Sequence, residues 1–165
     1  MLKKYILVFL ISMIPLIELR GAIPVGLSPL WGEPLPIIWL YAICIIGNML
    51  PVPFVYLFAR KILIWGKDKK IIGKFFTWCL AKGEKGGKKL QEKAGKRGTF
   101  LALLLFVGIP LPGTGAWVGT LAASILDMDF KTSVIAVMLG VILAGVIMGL
   151  ASAGVLGAAG AMFAK

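Results

Sequence analysis

The sequence predicts an all-α integral membrane protein of two inverted repeats, each a re-entrant helical hairpin plus a transmembrane helix, joined by a basic amphipathic cytoplasmic segment. Three observations carry that expectation. The 165 residues are 59% hydrophobic and 15% charged, with a mean hydropathy of +0.96, which is no soluble globule. The formal charge is +11, yet residues 60–97 hold 13 Lys or Arg against 3 acidic residues, so nearly all the excess lies in one connecting segment. Finally, Pro and Gly interrupt the apolar runs in corresponding places of two halves, as in the discontinuous helices of transporters.

The first run, 5–32, is uncharged except for Glu18 and Arg20. Pro15, Gly21 and Pro24 fall near its middle. Proline removes a donor and clashes with the preceding turn, so the run is expected to break there. A piece such as 5–17 is then about 20 Å long, too short for a hydrocarbon core of about 30 Å. Residues 36–59 are uncharged for 24 positions and read as one transmembrane helix. Within it, Pro51 and Pro53 leave the carbonyls of Gly47 and Met49 without their usual donors, next to the amide of Asn48.

In the basic segment 60–97, Ile71, Ile72, Phe75, Phe76 and Trp78 share a stretch with Lys67, Lys69, Lys70 and Lys74. This composition suits an amphipathic helix in the cytoplasmic headgroup layer, with lysines over anionic lipid, and not a nucleic-acid groove. The run 98–126 carries no charge and contains Pro110, Pro112, Gly113 and Gly115, giving a second hairpin. The last helix is placed at 131–164. In it Gly145, Gly149, Ala153 and Gly157 recur every four residues, a face for close packing of either the chain's own hairpin or a second subunit, and the small size of the chain points to a homodimer. The whole chain, 1–165, reads as a single multi-pass domain of the cytoplasmic membrane.

Hydropathy also allows four full crossings. In that arrangement Lys3 and Lys4 join residues 60–97 on the cytoplasmic side, as the positive-inside rule asks. With hairpins they lie outside. The helix breaks favour hairpins, because non-helical backbone at membrane depth is tolerated only where protein or water covers it. Lys3 and Lys4 before an apolar stretch also look like a signal peptide, but no small-residue cleavage site precedes Glu18, so the segment is expected to be retained.

Inventory narrows the chemistry. There is no His, and of two Cys one, Cys44, lies in an apolar run and the other, Cys79, in the basic segment. The usual zinc sites, a Ser-His-Asp triad and a His base are excluded. No catalytic residue, metal or cofactor is expected, and the chain does not read as an enzyme.

The stretches Glu18-Leu19-Arg20-Gly21-Ala22-Ile23-Pro24, Gly47-Asn48-Met49-Leu50-Pro51-Val52-Pro53 and Gly108-Ile109-Pro110-Leu111-Pro112-Gly113-Thr114-Gly115-Ala116-Trp117 resemble the family named putative small multi-drug export proteins. That family looks like a remote branch of the DedA (SNARE-associated, VTT-domain) superfamily. The resemblance implies inverted repeats with re-entrant hairpins, and transport in the manner of DedA relatives, which are associated with polyprenyl-phosphate recycling and, in eukaryotes, with phospholipid scrambling. DedA proteins carry acidic residues in the first hairpin and arginines in the second. Here Glu18 fits, whereas the second hairpin is uncharged and Arg20 stands in the first.

The candidate substrate-binding or coupling residues are Glu18, Arg20, Asn48, Gly113, Thr114, Gly115 and Trp117. Ionisable groups at bilayer depth are costly and mark function by default, so Glu18 is expected to couple protons or gate, and Arg20 to pair with it or hold a phosphate. The blander alternative is an ion pair that pins the hairpin tip. For Gly113 to Trp117, backbone N–H groups at the start of a half-helix can hold an anion without side-chain charge; the alternative is a tight turn allowing close packing. Asn48 either faces this site or satisfies a kink. The expected function is translocation of a lipid phosphate or similar amphipathic anion, with membrane lipids as partners. Proton-coupled export of small hydrophobic or cationic compounds, and a non-transporting scaffold, are the alternatives.

Overall fold

Proline and the left-handed backbone decide where this chain turns. The computed structural model describes residues 2–67, 77, 92, 94–111 and 113–163, and all regular structure among them is helical. The elements are α1 (Leu2–Met13), α2 (Glu18–Leu27), a short 3-10 turn (Pro29–Trp31), α3 (Ile37–Met49), α4 (Val52–Lys67), α5 (94–108), α6 (Ala116–Ile125) and α7 (Phe130–Phe163). The amphipathic stretch expected at 71–78, apart from residue 77, lies outside the described residues, as do Cys79 and Pro112.

The first break falls earlier than expected. The chain unwinds over residues 14–17, around Pro15, and both Leu16 (φ 70°) and Glu18 (φ 52°) occupy the left-handed region. For non-glycine residues that costs about 1–2 kcal/mol each. Gly21 and Pro24, expected as breaks, instead lie inside α2. The Gly21 N–H keeps its bond to the Ile17 carbonyl at 3.1 Å, and beyond Pro24 the ladder resumes from Ser28 N–H to the Pro24 carbonyl at 2.9 Å. One missing donor does not end the helix.

Lys4, near the start of α1, reaches past the end of α2 and donates to the carbonyls of Ser28 (3.0 Å), Gly32 (3.1 Å) and Glu33 (2.9 Å). The two helices therefore run back along one another as hairpin 1. A mirrored arrangement holds for α5 and α6. Gly119 lies against Val107 and Leu103, while Leu126 shares a groove with Thr99, so the register is antiparallel and the pair forms hairpin 2. Its turn runs through Pro110, Gly113 (φ 80°) and Gly115 (φ 128°).

The helix expected over 36–59 is divided at Leu50 and Pro51 into α3 and α4, and α4 continues to Lys67, into the segment assigned to the basic connection. Pro53 falls in the first turn of α4, where its missing N–H is an orphan anyway, so it is not a break. Stretches Ile37–Ala59 and Phe130–Gly154 are long and apolar enough to cross a membrane, and only 28% and 39% of their apolar windows are buried. A soluble core helix would be mostly buried. Here the outer flanks, with Ile38, Trp39 and Leu150 more than 60% exposed, suit lipid as solvent.

The core joins the two hairpins. Hairpin 1 packs on α3, α2 packs on α7, and α6 packs on both α4 and α7. Val8, Leu19, Ile23 and Leu40 from the first half meet Val107, Ala123, Val137 and Val141 from the second in one buried cluster. Tyr56 of α4 ties down the turn between α6 and α7: its hydroxyl donates to the Met128 carbonyl, its carbonyl accepts from Ser124 Oγ at 2.8 Å, and its ring meets Phe130 edge-on at 5.1 Å.

The small-residue face of α7 meets the chain's own α3 at its first two positions. Tyr41 lies over Gly145 and Gly149, where a side chain on Gly149 would overlap its hydroxyl, and that hydroxyl donates to the Gly145 carbonyl at 2.8 Å. Gly145 and Gly149 are thus filled within the chain and are not available to a second copy. Ala153 is exposed, and Gly157 lies in α7 beyond the described side chains.

Candidate functional site

Two helix ends in hairpin 2 need partners, and hairpin 1 supplies both. A helix N-terminus exposes N–H groups with a partial positive charge, and a C-terminus exposes carbonyls with a partial negative one. Glu18, 2% exposed, places its carboxylate on the N-terminus of α6. Oε2 accepts from the Ala116 N–H and Oε1 from the Trp117 N–H, both at 3.1 Å. Such charge-assisted bonds are worth about 1.5–3 kcal/mol each, against a desolvation cost of the same order.

Arg20 takes the opposite end. Nη1 donates to the Leu111 carbonyl at 2.5 Å, Nη2 donates to Thr114 Oγ1 at 2.8 Å, and Nη2 makes longer contacts to the carbonyls of Val107 (3.4 Å) and Ile109 (3.5 Å). These carbonyls are the frayed end of α5 and its turn. Thr114 holds the same turn, donating to Ile109 and Leu111 carbonyls at 3.0 and 2.9 Å. Glu18 and Arg20 are two residues apart, so one helix cannot aim both the same way. Instead each goes to the helix end whose dipole has the opposite sign.

The local sequence explains why this fits. Gly115 has φ 128°, and a Cβ there would lie 2.7 Å from the Glu18 carboxyl carbon, so conformation and space both require glycine. The left-handed Glu18 backbone is strain of the kind held only where surrounding contacts over-determine it. Trp117 adds a third tie, its Nε1 donating to the Met13 carbonyl at the end of α1, 3.1 Å away. The two hairpin turns are thereby bonded to each other in both directions. The unpaired N–H groups expected at Gly113 to Trp117 are only partly that: those of Ala116 and Trp117 are filled by Glu18. Gly113 makes the turn, with open space where a Cβ would point.

A model of the family described as "Putative small multi-drug export protein" matches residues 18–147. The chain belongs to that family. No curated protein and no solved structure matches it. Membership in an export family, together with the apolar helices, makes this a membrane protein with transport as its coarse functional reading, and the family is no enzyme class.

In this family member the matched region begins at Glu18, just after the turn of hairpin 1, and contains α2, the turn of hairpin 2 and the buried polar groups between them. Asn48 is 1% exposed on α3, and neither amide atom has a partner; Thr120 Oγ1, one turn into α6, and Arg20 Nε are buried and unpartnered too. Asn48 follows Gly47, which lies against the Phe9 carbonyl of α1. It therefore sits near the end of α1 that Trp117 holds. Burying such groups without partners costs about 1–3 kcal/mol each, so they are exceptions that call for a reason. Among the described residues no group of three or more His, Cys, Asp or Glu could hold a metal ion.

From the sequence Lys4 reads as a topology charge and as the basic start of a signal-like segment, with no structural role assigned. Its structural role had a signal: Lys4, Val8 and Ser12 recur every four residues as the buried face of α1. Tyr41 and Tyr56 were missed as well. Their long reach to α7 and to the α6–α7 turn has no local signature.

Proposed function

We propose that the protein is a membrane transporter of an amphipathic anion, a lipid phosphate above all, and that the Glu18 carboxylate on the α6 N-terminus is the gate. The observation that carries this reading is the pair of N–H bonds on Glu18. They make an anion site at the junction of two broken helices, with the protein's own carboxylate in it and the Arg20 guanidinium on the same turn. A phosphate headgroup displaces Glu18 from the Ala116 and Trp117 N–H groups, or a proton on Glu18 weakens its hold, and the hairpin turns separate. Asn48 and Thr120 supply further polar atoms along that opening while the acyl chain stays in lipid. Export of a cation fits less well, because both Glu18 oxygens are already committed to donors.

The hairpin geometry supports a re-entrant, inverted arrangement. The ends of hairpin 1 meet beside the start of α3, where Leu35 N–H bonds the Gly26 carbonyl at 3.0 Å. Those of hairpin 2 meet beside Tyr56 of α4, at the far end of the Ile37–Ala59 span. Each pair thus enters and leaves on one face, and the two faces are opposite. With residues 60–97 on the cytoplasmic side, hairpin 2 opens to the cytoplasm and hairpin 1 to the outside.

The test reconstitutes purified protein in liposomes and follows exposure of a lipid phosphate headgroup to an impermeant reagent. Wild type is expected to move the headgroup, Glu18→Gln to lose gating and Arg20→Ala to lose movement. No movement above protein-free liposomes, in folded protein, overturns the reading. A scaffold role is favoured by one observation, that Glu18 and Arg20 each satisfy a helix end. In that case both variants lower thermal stability and change no flux.

A further inference from the structure

The face of α6 that starts at the Glu18 carboxylate carries a hydroxyl at each of its next two turns. Four residues past Ala116 comes Thr120, and four more bring Ser124, both buried. About one turn further, Asp127 and Met128 line a cavity of about 240 Å³ at the open end of hairpin 2, together with Lys96, Thr99 and Asp129. A polar space of that size suits water. Ser124 Oγ donates to the Tyr56 carbonyl at 2.8 Å, and a hydroxyl that donates still accepts. Thr120 Oγ1 has no partner at all. Hydroxyls four residues apart on one helix face are separated by about 6 Å, close to two hydrogen bonds of about 2.8 Å, so one water bridges each gap. Helical side chains lean toward the N-terminus, which tilts Thr120 and Ser124 toward Glu18.

No such file leads toward the open end of hairpin 1. One and two turns past Glu18 on α2 stand Ala22 and Gly26. On α1 the Ser12 hydroxyl is committed to the Phe9 carbonyl at 2.7 Å, and Val8, fully buried, separates it from Lys4. On α3 Asn48 is followed in that direction by Cys44 and Leu40. Among the described residues Arg20 is the one charged group beside Glu18: α1, α5 and α7 carry theirs near the open ends of the hairpins, α4 carries its first at Arg60, and α3 and α6 have none. The other titratable groups on the packed helices, Tyr41, Cys44 and Tyr56, are neutral at ordinary pH.

We infer that Thr120 and Ser124 form a proton path from the open end of hairpin 2 to Glu18, so that the gate is protonated from the side to which that hairpin opens. The inference rests on reading Glu18 as a gate that a proton loosens. The observation that carries it is the Thr120 hydroxyl, whose burial has a cost and no structural bond in return. A proton arrives on water in the cavity. Each hydroxyl and each bridging water accepts one proton on oxygen and releases one to the next, so the carriers end as they began. The last water gives its proton to a Glu18 oxygen, and the carboxylate becomes a neutral carboxylic acid. A neutral carboxyl accepts more weakly than a carboxylate, which loosens the bonds from the Ala116 and Trp117 N–H groups.

The experiment is time-resolved infrared spectroscopy of the full-length protein in nanodiscs after a rapid drop in pH. It follows the stretch of the protonated carboxyl, assigned to Glu18 by its loss in Glu18→Gln. Thr120→Val keeps the shape and removes the hydroxyl. It is expected to slow the rise of the band about a hundredfold, the scale of losing a positioned proton carrier, with the final amplitude kept. Because the hydroxyl holds no bond, the thermal midpoint of this variant is not lowered. Thr120→Ser restores the fast rise. Ser12→Ala, on the hairpin 1 side, leaves the rate unchanged. A Glu18 band that rises as fast in Thr120→Val as in wild type overturns the path and leaves the gate standing. Slowing in Ser12→Ala as large as in Thr120→Val means general loosening and also overturns the path. A wild type without a Glu18 band at any pH at which it stays folded overturns opening by protonation, and the path with it.

Discussion

Hairpin 1 and hairpin 2 are built alike and finished differently. At its open end hairpin 1 is closed by a lysine: Lys4, 8% exposed, gives three hydrogen bonds to the carbonyls beyond α2. Hairpin 2 has Lys96 and Thr99 near the equivalent place, and there a cavity stays open to them. At the turns the asymmetry is reversed. Hairpin 1 brings the charges, Glu18 and Arg20, and hairpin 2 answers with the N–H groups of α6, the carbonyls at the end of α5 and its turn, and two uncharged side chains, Thr114 and Trp117. One hairpin carries the charges and the other answers them chiefly with helix ends, so the dipole of one hairpin acts as the counter-charge for the other.

The largest expected effect follows from breaking that exchange. Glu18→Ala leaves the Ala116 and Trp117 N–H groups at the start of α6 without their acceptor, and is expected to cost about 3 kcal/mol, read as a fall in the thermal midpoint of the purified protein in detergent. Gly115→Ala should approach it, since its backbone and its Cβ are both in conflict with the site. Next, Lys4→Met strands three carbonyls and is expected to cost about 2 kcal/mol, while Lys96→Gln at the open end of hairpin 2 costs under about 0.5 kcal/mol. Equal costs in the two hairpins would erase the contrast drawn here.

Tyr41→Phe removes one bond between the halves and is expected to cost about 1 kcal/mol in the same assay. The smallest effect is at Asp129. Hydrogen bonds from the Thr132 backbone and side chain hold its carboxyl below the usual carboxylate range. Its contribution is therefore complete above an unfolded-state value of about 3.9 and is lost as pH falls through the lower folded value. The stability difference between wild type and Asp129→Asn should be flat at neutral pH and shrink below about pH 4.

Much of the fold could be read from residues alone, for reasons that are local. Runs of uncharged residues reveal the spans, and Pro15, Pro110 and the glycines around 113–115 reveal the turns, because proline and left-handed backbone act within a few positions. Gly21 and Pro24 misled because a helix absorbs one absent donor when packing supports both sides. The site was half legible. Glu18 and Arg20 stood out by their charge in an apolar run, and the α6 N-terminus by its glycines. That the one would occupy the other depends on contacts 98 and 99 residues apart. Lys4 and the two tyrosines acquire their roles in the same long-range way.

The central claim is that the Glu18 carboxylate holds the N-terminus of α6. Hydrogen exchange at the Ala116 and Trp117 amides, measured in nanodiscs for wild type and Glu18→Ala, tests it most directly. Protection at both amides in wild type, falling about thirtyfold or more in the variant while the α7 amides keep theirs, is the predicted result. Exchange at Ala116 and Trp117 that is unchanged by the substitution would contradict it.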